Sequence, residues 1–375
     1  MRNMFAPASV ALLAIASLLT NCVTVKASEP TTLKEAFKND FLIGVAINQK
    51  QIDNQDQRGD PIIESQFNSI SPENVLKWQW VHPKPGKYDF TEADRYVEFG
   101  EKHHMVIVGH TLVWHHQTPK WVFEDKNGKP VTRAVLLDRM RDHILTVVGR
   151  YKGRIKIWDV VNEALNDDGT LRESPWEKII GPDYLEKAFQ YAHEADPNAI
   201  LRYNDYSLEN EPKQSGAIAL IKKLQAEGIP VTAIGFQDHA QMDWPTPEQE
   251  DAAISAFAKL GLKVMITELD VNVLGGKRTA ELTEMGQKPN PNRYANGLPP
   301  AVQEELAERY ADLFRVYVKH RNDVALVTFW GVTDGDSWLN SWGQVNYPLL
   351  FDRAGKPKSA FYSVIRVAQE QSAAK

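Results

Sequence analysis

Two glutamates at the ends of apolar stretches are the residues whose chemistry organises this chain. The stretch that starts at Ile155 reads I-K-I-W-D-V-V-N-E and ends in Asn162 and Glu163; the stretch that starts at Lys263 reads K-V-M-I-T-E-L-D-V and carries Glu268. Both look like buried strands, and barrel enzymes place catalytic groups where such strands end. Two carboxylates that flank one bond could hydrolyse a glycoside, since one protonates the leaving oxygen while the other attacks or activates water.

The composition excludes several classes of partner. The 375 residues carry a net charge of −6, so we expect neither nucleic acid nor an anionic membrane to bind. Ten Trp, 12 Tyr and 14 Phe are many for this length. They fit either core filling or stacking against the flat faces of sugar rings, and composition alone does not choose between the two.

We expect residues 1–27 to be a signal peptide outside the fold, which leaves residues 28–375 as one domain. A short basic start precedes an apolar run at 10–20, and the small residues near Ala27 offer a cleavage site. A second interpretation is a lipoprotein signal cleaved before Cys22, the only cysteine, which would then carry a lipid anchor. We therefore predict an exported protein that is secreted, periplasmic or an outer-surface lipoprotein, with no membrane span and no disulfide.

The rest of the chain alternates between strand and helix patterns. Eight strands are predicted, at Phe41–Ile47, Phe67–Ser71, Met105–Trp114, Ile155–Glu163, Ile200–Tyr206, Val231–His239, Lys263–Val271 and Val324–Val332. The first connection, around Asp60–Glu64, is only weakly helical in pattern. Strict alternation implies parallel strands, and eight such units fit the α/β fold of a single-domain (β/α)8 TIM barrel. A doubly wound open sheet is disfavoured, because no G-x-G-x-x-G follows the first strand.

Polar residues follow most of the predicted strands, so the active site is expected at their carboxyl ends. The alternation of strand side chains predicts that His110, Leu112 and Trp114 share one face. It predicts the same for the set Ile266, Glu268 and Asp270 and for the pair Gln237 and His239. The irregular segment 274–300 follows the strand of Glu268 and is expected at the same rim.

The bland alternatives are a solvated rim and a metal site. A glutamate at a strand end is more often solvated than catalytic, but the pairing of Glu163 with Glu268 and the neighbouring Asn162 favour catalysis here. His110, His115 and His116 could suggest a metal, yet the H-x-H pair of metal-dependent barrels is absent from the first strand. We expect no metal at the active site and no cofactor; a structural calcium ion in a loop stays open, although no motif indicates one.

Seven blocks of the sequence, taken together and in order, resemble glycoside hydrolase family 10, whose members are retaining endo-β-1,4-xylanases on a (β/α)8 barrel. The blocks cover the chain from about Phe41 to Val367: E-N-V-L-K-W from Glu73, G-H-T-L-V-W-H from Gly109, W-D-V-V-N-E from Trp158, Y-N-D-Y from Tyr203, G-F-Q-D-H from Gly235, I-T-E-L-D from Ile266 and F-W-G-V-T-D-G-D-S-W from Phe329.

The resemblance assigns roles by position. It implies that Glu163 is the acid/base and Glu268 the nucleophile. Strand adjacency and alternation add a supporting role for His239 and Asp270, which could keep Glu268 ionised and oriented, and Asn162 beside Glu163 is suited to hydrogen-bond a sugar hydroxyl. Retention would require the two carboxyl groups to lie roughly 5 to 5.5 Å apart. Tyr206 would stack a sugar on the leaving-group side. The remaining residues would bind the non-reducing side: Glu73, Asn74, Lys77, His110, Trp114, Gln117, Gln237, Trp330 and Trp338.

The expected function is therefore that of a monomeric endo-1,4-β-xylanase acting on xylan or xylo-oligosaccharides by double displacement. Two alternatives stay open: a non-catalytic xylan-binding barrel, and a retaining β-1,4-glycanase of broader specificity. His116 and Leu339 depart from the family pattern, which commonly has Ser and a basic residue there. Because neither departure touches Glu163 or Glu268, both bear on subsites and decorated chains rather than on the chemistry.

Overall fold

The computed structural model describes residues 32–275 and 292–373. Parallel strands at eight positions form a closed barrel. The first six strands pair in sequence order, the eighth pairs with the ninth, and the ring closes where the ninth pairs with the first. Two short strands, the sixth and seventh, both pair with the eighth and together occupy one of the eight positions. The strands are β1 (Leu42–Ile47), β2 (Ser69–Pro72), β3 (Val106–Gly109), β4 (Ile157–Asn162), β5 (Ile200–Asp205), β6 (Ala233–Phe236), β7 (His239–Gln241), β8 (Lys263–Asn272) and β9 (Val324–Phe329).

Apolar side chains form two layers of core. A small cluster fills the inside of the barrel with Val108, Ile157, Ala233, Met265 and Leu326, one from each of five strands. A much larger cluster joins the outward faces of the strands to the surrounding helices. Burial on both faces explains why the strands read as continuous apolar runs instead of alternating with polar residues.

Helices surround the barrel, and several begin at side-chain caps. Thr132 caps Arg133–Arg150, and Thr246 forms a capping box with Gln249 at the start of Pro247–Ala258. Such a cap contributes about 1 kcal/mol to helix stability. The helices are Leu33–Ala36, Gln49–Ile52, Gly59–Gln66, Trp78–Val81, Thr91–Lys102, Arg133–Arg150, Pro175–Ile180, Tyr184–Ala195, Glu211–Ala226, Pro247–Ala258, Pro300–Lys319 and Ser359–Ala373, with 3₁₀ turns at Lys120–Val122 and Trp338–Gly343.

The predicted barrel is confirmed, whereas several details of its strands are wrong. β3 ends at Gly109 rather than Trp114, and the chain beyond it hydrogen-bonds to β4 through the backbone of Leu112 and Val113. Leu112 therefore belongs to the large outer core, while His110 and Trp114 line a cleft. The shared face predicted for these three residues is not observed.

The predicted alternation in β8 also fails at one position. Ile266 packs in the outer core, but Glu268 and Asp270 both face His239. The pairing of β8 with β9 shifts register between Ile266 and Leu269, and such an irregularity changes the side to which successive side chains point. Gln237 and His239 both reach the cleft as predicted, although the strand breaks between them.

Two connections differ from the expectations. The segment expected to be weakly helical near Asp60–Glu64 is a regular helix, Gly59–Gln66. A further helix, Pro175–Ile180, follows β4 and is capped by Ser174, with Pro175 in its first turn. The predicted signal peptide, residues 1–27, lies outside the described residues, and so does most of the segment 274–300. No helix among the described residues is long and apolar enough to cross a membrane.

Candidate active site

A cleft of about 470 Å³ opens where the strands end. Because parallel strands present their carboxyl ends at the same rim, residues distant in sequence meet there. Eleven of the predicted site residues line this cleft: Lys77, His110, Trp114, Asn162, Glu163, Tyr206, Gln237, His239, Glu268, Trp330 and Trp338.

Glu163 stands directly after β4 and is held by neutral hydrogen-bond donors. The indole Nε1 of Trp114 donates to Oε2 at 2.9 Å, and Nε2 of Gln237 donates to Oε1 at 3.0 Å. The residue has a positive φ of 56°, an uncommon conformation outside glycine that marks the turn out of the strand. Its side chain is half-buried, so the carboxyl group is accessible from the cleft.

Glu268 lies deeper and is held by charge. Only 5% of the residue is exposed. Asn204 donates to Oε1 at 2.9 Å, and Nε2 of His239 lies 3.3 Å from Oε2. Burial by itself would raise the pKa of Glu268, but the contact with His239 and the nearby His110 lower it below its ordinary value. The carboxyl group is therefore held in its ionised form.

His239 bridges Glu268 and Asp270. Its Nδ1 lies 3.2 Å from Oδ1 of Asp270, on the opposite side of the ring from Glu268. Burial would lower the pKa of His239, yet the charges of Asp270 and Glu268 raise it to about 10. The indole of Trp338 donates to the other oxygen of Asp270 at 2.8 Å. The result is an imidazolium fixed between two carboxylates beside the cleft.

A chain of carboxamides links the two glutamates. Asn204 contacts Glu268 and lies 2.9 Å from the carboxamide of Asn162, which in turn lies 3.3 Å from Gln237, the partner of Glu163. Thr267 donates to Oδ1 of Asn204 at 2.7 Å, which directs the amide nitrogen of Asn204 towards Glu268.

A glycine makes room for this chain. A Cβ at Gly235 would stand 2.3 Å from Oδ1 of Asn204 and 2.9 Å from the methyl group of Thr267, so any larger residue would displace both. Gly235 therefore allows β6 to approach the amide of Asn204 closely enough for the two glutamates to be connected.

An ion pair inside the barrel supports the floor of the cleft. Arg202 binds Asp159 through two hydrogen bonds of 2.6 and 2.9 Å, and all but 1% of each residue is buried. Nδ1 of His110 lies 3.0 Å from the same carboxylate, which leaves Nε2 for the cleft. Burial would raise the pKa of Asp159, but Arg202 and His110 lower it to about 2. His110 is thus oriented by a permanent anion.

A lysine, Lys77, forms part of the cleft wall beside Trp114. Nζ of Lys77 lies 3.3 Å from Oδ1 of Asn74 and 5.0 Å from the centre of the Trp114 ring, and Gln117 donates to the same Asn74 oxygen at 3.2 Å. Burial and the charge of Asp336 raise the pKa of Glu73 to about 7, although Lys77 opposes this shift. Glu73, Asn74 and Gln117 thus adjoin the cleft wall formed by Lys77 and Trp114, without lining the central space.

Aromatic rings form the walls. The His110 and Trp330 rings meet edge to face at 5.5 Å, and the His239 and Trp338 rings lie 5.0 Å apart. Tyr206 is held from two sides, because Arg172 donates to its hydroxyl group at 3.0 Å and Nζ of Lys213 lies 3.1 Å from its ring centre. Flat rings beside fixed polar groups are suited to a sugar, which presents apolar faces and hydroxyl edges.

The site also contains residues without a predicted role. Asn204 and Asp159 lie within recognised sequence blocks, but their contacts with Glu268 and His110 depend on neighbouring strands. Arg172 reaches the site from the loop after β4, where no pattern indicated a function. Four further residues line the cleft: Ser207, Glu209, Asp238 and Trp244. Among the residues described, one group of acids is close enough to share a cation, and it contains neither Glu163 nor Glu268.

The chain matches known proteins over most of its length. The family model described as "Glycosyl hydrolase family 10" matches residues 32–367. The chain is 44% identical to endo-1,4-beta-xylanase A of Xylanibacter ruminicola, over 92% of this chain and 95% of that protein. It is 41% identical to a beta-1,4-xylanase of Dictyoglomus thermophilum, over 91% and 92%.

Solved structures give the same result. A GH10 endoxylanase retrieved from a sugarcane soil metagenome superposes with a TM-score of 0.84 at 42% identity, covering 90% of this chain and all of that one. A mutant protein in complex with xylotriose superposes with a TM-score of 0.82 at 36% identity, covering 90% and 99%. From its sequence match, its barrel and its pair of glutamates, the chain belongs to glycosyl hydrolase family 10.

Proposed function

We propose that this protein is an endo-1,4-β-xylanase that hydrolyses internal bonds of xylan with retention of configuration. The observation that carries the proposal is the pair Glu163 and Glu268 in one aromatic cleft, the first among neutral donors and the second ionised beside His239. The similar proteins of Xylanibacter ruminicola and Dictyoglomus thermophilum bear the names of xylanases. The mutant structure that contains xylotriose supports a xylo-oligosaccharide as ligand.

In the first step the Glu268 carboxylate attacks the anomeric carbon. Glu163 donates its proton to the glycosidic oxygen as the bond between that oxygen and the anomeric carbon breaks, and the reducing-end fragment leaves as an alcohol. The glycosyl group remains bound to Glu268 as an ester. The contact with His239 favours the attack, because it holds Glu268 as an anion before substrate binds.

In the second step Glu163, now a carboxylate, takes a proton from water. The resulting nucleophile attacks the anomeric carbon, the ester bond breaks, and Glu268 regains its negative charge. The carboxamides of Asn162 and Gln237 contact Glu163 and line the open cleft, so they can hydrogen-bond a sugar hydroxyl next to the reacting carbon.

The binding roles are carried over from the resemblance to the family, residue by residue. We assign the non-reducing side of the sugar chain to the region of Lys77 and the leaving-group side to Tyr206. The polar and aromatic residues proposed to hold the non-reducing side are Glu73, Asn74, Lys77, His110, Trp114, Gln117, Gln237, Trp330 and Trp338.

Two alternatives remain open to test. A non-catalytic xylan-binding barrel has no need for an ionised nucleophile, so the paired contacts of His239 favour the enzyme. A β-1,4-glycanase of broader specificity would have to accommodate the hydroxymethyl group of glucose near Trp330 and Trp338. We propose in addition that the protein is exported, since the apolar run at 10–20 has the length of a signal peptide.

The decisive experiment is a product profile on xylan beside one on mixed-linkage β-glucan, with the anomeric form of the first product followed by NMR. We expect β-configured xylo-oligosaccharides and little glucan hydrolysis. An α-anomer as the first product would exclude double displacement, and folded protein that binds xylan without releasing reducing sugar would favour the binding barrel. The mass of the mature N-terminus, measured after expression in a host with lipoprotein processing, distinguishes cleavage near Ala27 from lipidation at Cys22.

A further inference from the structure

Three buried carboxyl groups from separate parts of the chain meet beside the cleft. Glu209 follows β5, Asp238 lies between β6 and β7, and Glu250 lies in the helix Pro247–Ala258. One carboxylate oxygen of each lies within 4.8 Å of the others. The three residues are 5%, 2% and 0% exposed, in that order. None of them takes part in the proposed hydrolysis.

Four of the six carboxylate oxygens in this cluster lack hydrogen-bond partners among the described residues. Both carboxylate oxygens of Glu250 are unpartnered, as are Oε1 of Glu209 and Oδ1 of Asp238. The second oxygen of Asp238 accepts a hydrogen bond from Tyr317. Buried polar atoms are normally paired, and an unpaired buried carboxylate is unfavourable. Glu250 in particular makes no side-chain hydrogen bond within the described part of the chain that would explain why a carboxyl group is buried there.

The nearby cations are bound to other groups. The Arg309 guanidinium donates to the backbone oxygens of Gln241 and Pro245, at 2.9 and 2.7 Å. Nζ of Lys213 lies 2.9 Å from the carboxylate of Asp205. Three ionised carboxylates beside Arg309 leave an excess of about two negative charges.

We propose that Glu209, Asp238 and Glu250 bind a hard divalent cation, with Ca²⁺ as the preferred ion. Carboxylate oxygen is the ligand that Ca²⁺, Mg²⁺ and Mn²⁺ prefer, whereas Zn²⁺ and Cu²⁺ favour nitrogen and sulfur. Oxygens that surround one ion at 2.3 to 2.6 Å lie at most about 5 Å apart, which agrees with the observed spacing. Glu209 and Asp238 also line the cleft, which provides a path for the ion and for water to complete its coordination.

The cation would stiffen the segment that holds both catalytic candidates. Asp238 lies between Gln237, which donates to Glu163, and His239, which contacts Glu268. Its φ of 53° places the break between β6 and β7 at this residue. An ion that ties Asp238 to β5 and to the neighbouring helix therefore fixes the position of Gln237 and His239.

The competing explanation is that the cluster holds protons instead of a cation. Burial and the charge of Asp238 raise the pKa of Glu209 to about 8, and the same causes place the pKa of Glu250 well above its ordinary value. Protonated carboxyl groups would make the cluster neutral without an ion. The two explanations differ in whether the folded protein takes up a cation.

The test is thermal unfolding and isothermal titration calorimetry of the EDTA-treated full-length protein with CaCl₂, MgCl₂ or MnCl₂. We expect saturable binding of about one Ca²⁺ per chain and a rise in melting temperature of about 3 °C or more. The Glu250→Gln variant should lose both effects. Glu248→Gln, an exposed change two residues away on the same helix, should retain both.

The same variants separate loss of a site from loss of folding. In EDTA the Glu250→Gln protein should unfold at the same temperature as the parent or higher, because one of three repelling carboxylates is gone. The proposal is overturned if the parent binds none of the three cations at millimolar concentration, or if Glu250→Gln binds Ca²⁺ as tightly as the parent does. Either result would leave protonated carboxyl groups as the explanation.

Discussion

The two glutamates of the cleft differ in depth and in partners. Glu163 is half-buried and is contacted by an indole and carboxamides, whereas Glu268 is almost fully buried and lies against His239. Neutral donors can remain in place whether a carboxyl group carries a proton or not. A cation, by contrast, favours the ionised form alone. The fold thus places two chemically identical side chains in surroundings that suit them to the different roles proposed for them.

The largest effect is expected at Glu268, the glutamate that lies against a charged partner. Glu268→Ala removes the group proposed to form the covalent bond, so turnover on xylan should fall on the order of 10⁴-fold or more. Reducing-sugar release measures this loss, and an unchanged circular dichroism spectrum would establish that the barrel is intact. Turnover within tenfold of the parent would refute the assignment of Glu268.

A smaller and more selective effect is expected at Glu163, the glutamate with neutral hydrogen-bond donors. Glu163→Ala removes the proposed proton donor, so hydrolysis of xylan should fall about 10²- to 10⁴-fold. An aryl xylobioside with an acidic phenol as leaving group needs little protonation, so its first step should be nearly unaffected. A burst of phenol followed by slow turnover checks this. An equal loss on both substrates would argue against Glu163 as the acid.

The dependence of kcat/KM on pH should distinguish the two glutamates. His239→Asn removes the positive charge that lowers the pKa of Glu268, so that pKa rises. The acid limb of kcat/KM should move to higher pH by about one pH unit, since more Glu268 is protonated at a given acidic pH. The profile of kcat/KM on a soluble xylo-oligosaccharide measures the shift. An acid limb that stays in place would show that His239 does not control Glu268.

The smallest effect is expected from one neutral donor. Trp114→Phe keeps a ring against the sugar but removes the N–H that donates to Glu163. Loss of one such hydrogen bond corresponds to about a three- to tenfold fall in kcat/KM. The acid limb should not move, because Glu268 keeps its partners. A shifted limb would contradict the idea that the partners of Glu163 and of Glu268 act separately.

Sequence patterns were sufficient for the fold and for the location of the two glutamates. The barrel follows from alternation, and once the strands are parallel their ends must meet, which brings Glu163 and Glu268 into one cleft. Patterns do not determine how neighbouring strands are offset. The contact of Asn204 with Glu268 depends on that offset and on the space left by Gly235, so it could not be read from the order of residues.

The errors have a common physical cause. Alternation assumes a regular strand. However, β3 ends early, the strand predicted at Val231–His239 is interrupted between β6 and β7, and β8 shifts register near Glu268. All three irregularities lie at the rim of the cleft, where the backbone turns side chains towards the substrate. The cluster of Glu209, Asp238 and Glu250 was missed for a different reason, since its members come from separate elements and share no motif.

The ion pair of Asp159 and Arg202 has a consequence for how this barrel can be improved. Buried ion pairs are often no more stabilising than apolar residues of similar volume, so replacing both by aliphatic side chains would leave the barrel as durable or make it more so. The same replacement would free His110 to rotate. At the centre of the barrel, selection for thermal stability therefore favours different residues from selection for turnover. A thermostability screen without an activity assay would select an inactive protein.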